Sequence, residues 1–142
     1  MKERNVHVEL SQDFDRPPDV VWRFIVVDHV ENHPRWDPQM ELWPVTDGPL
    51  RLGSILKRRQ SRGEVPAEGT MEVIEYEPSR SVGWLVHDGP FELRSRTTFE
   101  PIGGGGTRMT TSVELPEGVK AFDPAFMERS MRNMKELIEA ET

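Results

Sequence analysis

Cysteine is absent from the 142 residues. That removes disulfides, thiol nucleophiles and every cysteine-ligated zinc or iron–sulfur site at once. Long apolar runs are missing too. The mean hydropathy is -0.62, and no stretch approaches the roughly 18 apolar residues of a membrane span, so no integral membrane contact is expected. The opening residues Met1-Lys2-Glu3-Arg4-Asn5 are charged where a secretory signal would be apolar. With no other address legible, the expected location is cytoplasmic. Basic runs are lacking as well: Lys+Arg number 18 against 25 Asp+Glu, a net charge of -7. Such a chain offers no footprint for nucleic acid or anionic membrane surfaces. Hydrophobic residues are sparse at 35%, and with 11 glycines the apolar share stays just under the usual range of about 45–50%. The length suits one domain over 1–142 with a lean core. No linker or internal repeat divides it, and the glycine run 103–106 is its one low-complexity stretch.

What is present alternates. Val6, Val8 and Leu10 interleave with His7, Glu9 and Ser11, the period of a strand over 5–14 with one buried face. Asp15-Arg16-Pro17-Pro18-Asp19 then starts a helix, because proline is tolerated in a first turn and an acid suits the helix dipole. Val21, Phe24 and Ile25 form that helix's core stripe, flanked by Val20 and Val27, and Trp22 reads as core. A second helical turn over Asp28–His33 is expected to stop at Pro34. Six further strands are predicted over 40–46, 53–62, 68–77, 81–88, 91–101 and 107–115. Short Gly- and Pro-bearing connections between them imply antiparallel hairpins. Phe91, Leu93, Ser95, Thr97 and Phe99 face one way and Glu92, Arg94, Arg96 and Thr98 the other; Met109, Thr111, Val113 and Leu115 repeat the pattern.

Near the end, Asp123 can cap and Pro124 can begin an amphipathic helix of about four turns, with Phe122 stapled against Met127. Its stripe is Phe126, Met127, Met131, Met134, Leu137 and Ile138, and a weaker helical stretch over Glu117–Phe122 precedes it. A curved antiparallel sheet must cover its apolar face, and this helix alone is long enough to do so. The expected fold is α+β: a seven-stranded antiparallel sheet wrapped around a long C-terminal helix, with one or two short helices after the first strand.

Four segments in order resemble one family. Phe14-Asp15-Arg16-Pro17-Pro18-Asp19-Val20-Val21-Trp22-Arg23-Phe24-Ile25 resembles the A-P-x-x-V-W-x-x-I opening of the SRPBCC, or START-like, superfamily. His33-Pro34-Arg35-Trp36-Asp37-Pro38 resembles its x-P-x-W-x-P element, and Tyr76-Glu77-Pro78-Ser79-Arg80-Ser81-Val82-Gly83-Trp84 its Y-x-P-x-R-x-x-x-W element. Phe99 through Thr110 resembles its F-x-P-x-G-G-G-T hairpin. The resemblance spans essentially the whole chain and points to the polyketide cyclase/dehydrase-like branch. It implies a helix-grip fold with a hydrophobic cavity between sheet and last helix.

Within that implied cavity the residue types acquire meaning. Met127, Met131 and Met134 read as ordinary core by spacing alone; a cavity makes them a lining that adapts to a guest. Trp36 stands between Pro34 and Pro38 as a rim or a loop anchor, and Trp43 and Trp84 lie on strands. The expected ligand-binding set is Trp36, Met40, Leu56, Arg58, Met71, Val73, Trp84, Phe91, Leu93, Met109, Met127, Met131 and Met134. A one-residue slip in strand parity would invert any part of it. Arg58 faces inward if Leu56 does, and an inward arginine can hold a carboxylate or enolate. Polar candidates for chemistry are His87, Tyr76, Arg58, Arg59 and Glu72, with His87 pointing out if Trp84 points in; no catalytic set follows from spacing. His29 and His33 share a helix face, but Val30 stands where a zincin helix carries Glu, so a solvated polar face is expected, with no metal. The glycine run lacks the strand–loop–helix context of a phosphate loop. The expected partner is a small hydrophobic or aromatic molecule (lipid-, polyketide- or quinone-like), with no cofactor. Catalysis of cyclisation, aromatisation or dehydration is the alternative, a non-catalytic protein-interaction module the third, and a homodimer stays open.

Overall fold

A computed structural model of the chain describes residues 5–61, 66–116 and 124–142. Seven strands form one antiparallel sheet in the order β1-β7-β6-β5-β4-β3-β2. They are β1 (Asn5–Phe14), β2 (Met40–Pro44), β3 (Ile55–Gln60), β4 (Ala67–Glu77), β5 (Ser81–Asp88), β6 (Phe91–Ile102) and β7 (Gly106–Pro116). Three helices accompany them: α1 (Pro18–Trp22), α2 (His29–Trp36) and α3 (Pro124–Glu141). This is a helix-grip fold, with the α+β layout expected from the pattern.

The parity of the strands follows the alternation in the sequence. Leu56, Arg58 and Gln60 are buried on β3; Met71 and Val73 on β4; Val82, Trp84 and Val86 on β5; Met109, Val113 and Leu115 on β7. A bulge between Val73 and Glu75 shifts the β4–β5 register. The extra residue bends the strand, and Tyr76 comes to oppose Val82 and meets Trp22 edge to face at 5.3 Å. The glycine run turns β6 into β7 through Gly104 and Gly105, both at φ +80, a conformation that suits glycine.

The first helical region departs from the expected single helix. After α1 the chain widens into a π-helical turn over Arg23–Val27, closed by the Asp28 amide donating to the Arg23 carbonyl at 2.9 Å. The wider turn places Phe24, Ile25 and Val26 consecutively in the core and leaves Val27 exposed. Pro34 does not end the next helix as expected: α2 continues through it to Trp36. Proline removes one amide donor, but the following turn still closes, with the Asp37 amide donating to the His33 carbonyl at 3.0 Å, and the buried Trp36 ring anchors it. The expected cap Asp123, staple Phe122, the stretch Glu117–Phe122 and the end of the third predicted strand at Arg62 lie outside the described residues.

Helix α3 packs on β1 and α2. Its Met127, Met131 and Ile138 are buried, and Phe126, Met134 and Leu137 pack on the same core. Its far end is tied down by polar contacts: Lys135 Nζ donates to the Asp13 carbonyl oxygen of β1 at 2.9 Å, and Arg35 of α2 pairs with Glu141. Between α3, α2 and the middle of the sheet a space remains.

Candidate functional site

That space is a cavity of about 160 Å³. Every layer of the fold contributes to its wall. Ile25 and Val26 come from the π turn, and His29, His33 and Trp36 from α2, followed by Asp37. Met40, Arg58, Met71, Trp84, Leu93 and Met109 project from β2 to β7, and Met127, Ser130, Met131 and Met134 from α3. Of the expected ligand-binding set, Trp36, Met40, Arg58, Met71, Trp84, Leu93, Met109, Met127, Met131 and Met134 stand on this wall. Leu56 and Val73 do not. Both face inward, at 1% exposure each, but they belong to the packed core rather than to the cavity surface. Phe91 has the expected parity, yet it begins β6 beside the Gly89 turn, beyond the cover of the helices, and is 42% exposed. Trp43, on the outer face of edge strand β2, is exposed too.

Arg58 turns inward with Leu56, as the alternation demands. Its Nη2 lies 3.5 Å from Asp88 Oδ2, and both side chains are almost fully buried. The two strands bearing them are separated by β4, where Gly69 stands opposite both Arg58 and Asp88. A Cβ at Gly69 would fall 1.6 Å from the His87 carbonyl oxygen, so only glycine fits beneath this pair. The ion pair explains the buried arginine: a charge removed from water needs a partner of opposite sign. Of the other polar candidates, His87 is exposed while Trp84 is buried, and Tyr76, Arg59 and Glu72 are absent from the cavity wall.

The face holding His29 and His33 is the main correction. A solvated polar face was expected; His29 is 6% exposed and both rings line the cavity. The His29 Nδ1 lies 2.8 Å from the Ile25 carbonyl oxygen and its Nε2 lies 2.9 Å from His33 Nδ1. Its ring sits 5.0 Å from that of Trp84, and His33 stacks on Trp36 at 5.2 Å and 22°. Burial pushes the His29 pKa from 6.5 down to about 4, only partly offset by the bond to Ile25, and Arg58 adds to the fall. His33 Nε2 in turn lies 3.9 Å from Asp37 Oδ2. The i, i+4, i+8 spacing of His29, His33 and Asp37 was the signal for this line of groups; its direction, inward, depended on the packing of Trp36 and Trp84. Among the described residues no cluster of three or more His, Asp or Glu could hold a metal ion, and no helix is long and apolar enough to cross a membrane.

A sheet gripping a C-terminal helix, with an apolar-walled cavity between them, defines a class of ligand-cavity proteins. The chain belongs to the family described as "Polyketide cyclase / dehydrase and lipid transport", whose sequence model matches residues 5–139. Among solved structures it is similar to the Zhui aromatase/cyclase from Streptomyces sp. R1128, with a TM-score of 0.80 at 10% identity, covering 96% of this chain and 94% of that one. It is also similar to Ara h 8.0201, at 0.75 and 12% identity over 97% and 100% of the two chains. A third is protein CV1439 from Chromobacterium violaceum, at 0.73 and 14% identity over 94% and 96%. At these identities the likeness speaks for the fold. No curated protein matches the sequence.

Proposed function

We propose that this protein binds a small, largely apolar molecule of about one ring in the space between sheet and α3. The observation that carries the reading is the cavity itself, about 160 Å³ with walls of methionine, aromatic and aliphatic side chains. An apolar cavity of about 150 Å³ suffices for benzene, so a single substituted ring is the natural size of guest, and longer lipid- or polyketide-like chains require the helix to move outward. Methionines 127, 131 and 134 along one side supply walls that adapt to differently shaped rings. Family membership supports the same reading.

The test is a thermal-shift and NMR screen of single-ring and two-ring compounds, quinones and short lipids. A ligand at 100 times its Kd adds about 2.7 kcal/mol, which raises the Tm of a domain this size by roughly 5–10 °C. Met131→Trp, which projects an indole into the space, is expected to abolish every such shift while leaving the circular dichroism unchanged. A panel in which nothing stabilises the protein defeats the reading.

One observation favours chemistry on the guest as a second reading. The wall is not wholly apolar: Arg58, His33 and Asp37 reach it. A polar cavity wall is what an aromatase, cyclase or dehydratase requires. Turnover of an enolisable aromatic precursor that falls in Arg58→Met and His33→Phe would establish it. The interaction-module reading calls for a filled core, and the cavity weighs against it.

A further inference from the structure

The space beneath α3 continues outward. A groove of about 430 Å³ lies between the flank of α3 and the segment that follows α2, and it shares Trp36, Asp37, Phe126 and Ser130 with the cavity wall. Successive helical residues are about 100° apart, which orders what α3 presents along this path. Met127, Met131 and Met134 face the cavity. Phe126 and Ser130 come next around the helix, then Asn133 and Arg129, then Glu136 and Arg132. The lining therefore passes from thioethers through an aromatic ring to amide and guanidinium groups. Asn133 Nδ2 donates to the Trp36 carbonyl oxygen at 3.2 Å and so ties the two walls of the groove together.

The charges at the outer end are not balanced. Arg129 and Arg132 are exposed and have no ion pair among the described residues. The neighbouring Arg16, Arg35 and Lys135 are committed: to the Glu139 carbonyl, to Glu141, and to the Asp13 carbonyl. Of the two carboxylates on the groove wall, Asp37 is buried and lies 3.9 Å from His33, and Glu136 is exposed. Two open guanidinium groups against one open carboxylate suit a single added negative charge.

We propose that this groove is a second subsite, which holds the carboxylate of an amphipathic guest whose ring lies in the cavity. The ligand class is an aryl-alkanoic acid. The proposal rests on the ligand-cavity reading above for the ring, and adds a tail and its charge. The tail leaves past Trp36 and Phe126, and its carboxylate meets Arg129 and Arg132, whose planar forks match it. A monoanion fits the local balance; in a chain of net charge -7 a second negative charge would meet only repulsion. Inside the cavity Arg58 is already faced by Asp88 at 3.5 Å, so the acid is drawn to the outer end.

The test is calorimetry with toluene and with two acid–amide pairs: 6-phenylhexanoate against 6-phenylhexanamide, and phenylacetate against phenylacetamide. Each pair differs in charge and hardly in size. In wild type, 6-phenylhexanoate should bind about three- to tenfold tighter than its amide, the effect of two exposed ion pairs, and the margin should shrink as sodium chloride is raised. Phenylacetate is too short to reach the groove and should bind no tighter than phenylacetamide. Arg129→Gln and Arg132→Gln should each reduce the margin, and together abolish it, with toluene affinity unchanged; Glu136→Gln should widen it. Equal affinities for the long acid and amide, a margin that survives the double variant, or one equally large for phenylacetate overturns the proposal. So does wild type that binds toluene and neither long compound, and in all four cases the cavity reading stands. Wild type that binds none of the five compounds defeats the cavity reading first and the proposal with it.

Discussion

A histidine buried neutral makes stability depend on pH. His29 is held near a pKa of about 4 against 6.5 for an unhindered imidazole. Because its folded pKa lies below its unfolded value, the neutral form is the folded form. The stability it protects is whole above pH 6.5 and is lost as pH falls from there toward 4, by about 3 kcal/mol in all. The groups facing it, His33 on α2 and Arg58 on β3, remain in place in a His29→Phe variant. That variant loses two hydrogen bonds and should be weaker at pH 7 by about 1–2 kcal/mol. Its urea midpoint should then change little between pH 6.5 and 4.5, where wild type declines. Parallel curves for the two proteins would show that another group sets the acid slope. Arg58 and Asp88 allow a second experiment at the same scale. Asp88→Ala removes the carboxylate 3.5 Å from a buried guanidinium and should cost about 3–5 kcal/mol in chemical denaturation, whereas the double replacement Arg58→Met with Asp88→Leu should recover most of it. A double variant no more stable than Asp88→Ala would mean that Arg58 draws its support elsewhere.

At the scale of elements, the strands were the most legible part of the chain and the short helices the least. Alternation has only two phases, so once Leu56 was inward Arg58 had to follow, and once Trp84 was inward His87 had to leave. The bulge after Val73 could not be seen, because Ile74 and Tyr76 are both acceptable residues on either face of a strand. The π turn and the persistence of α2 through Pro34 were equally hidden: local rules stop that helix, and the burial of Trp36 keeps it going. For the site, the residues of the long helix and of central strands could be placed from periodicity. Phe91, Leu56 and Val73 could not, because periodicity gives the face of a strand and not the distance along it to the cavity. Gly69 belongs to this scale too. Nothing in its neighbourhood distinguishes it from a strand-weakening glycine, yet it lets β3 and β5 share an ion pair across β4. Gly69→Ala should lower stability by about 2–4 kcal/mol, since the obstructing atom is a backbone carbonyl that cannot swing away. A near-neutral alanine in urea melts would show that β4 and β5 part easily at this end.

For the molecule as a whole, the decisive quantity is the volume left unfilled. Protein interiors are packed as tightly as organic crystals, so a void of about 160 Å³ under a long helix forfeits dispersion contacts along its whole lining. Unfolding removes such voids, and pressure therefore favours the unfolded chain in proportion to them. High-pressure fluorescence or NMR can weigh the cavity without any ligand. Met131→Trp places added side-chain volume into it from α3, where Met131 is 5% exposed and already on the wall. The volume change of unfolding should become less negative by on the order of 20–50 mL/mol, and the pressure midpoint should rise even if thermal stability barely moves. A larger residue at Ile138, which is buried on the same helix and absent from the cavity wall, should instead overpack the core and lower stability by about 1–3 kcal/mol. The contrast between two positions on one helix separates a helix that stands off from the sheet near Met131 from one that is seated along its entire length. Equal volume changes for wild type and Met131→Trp would mean that the space closes in solution, and the one-ring guest would have nowhere to go.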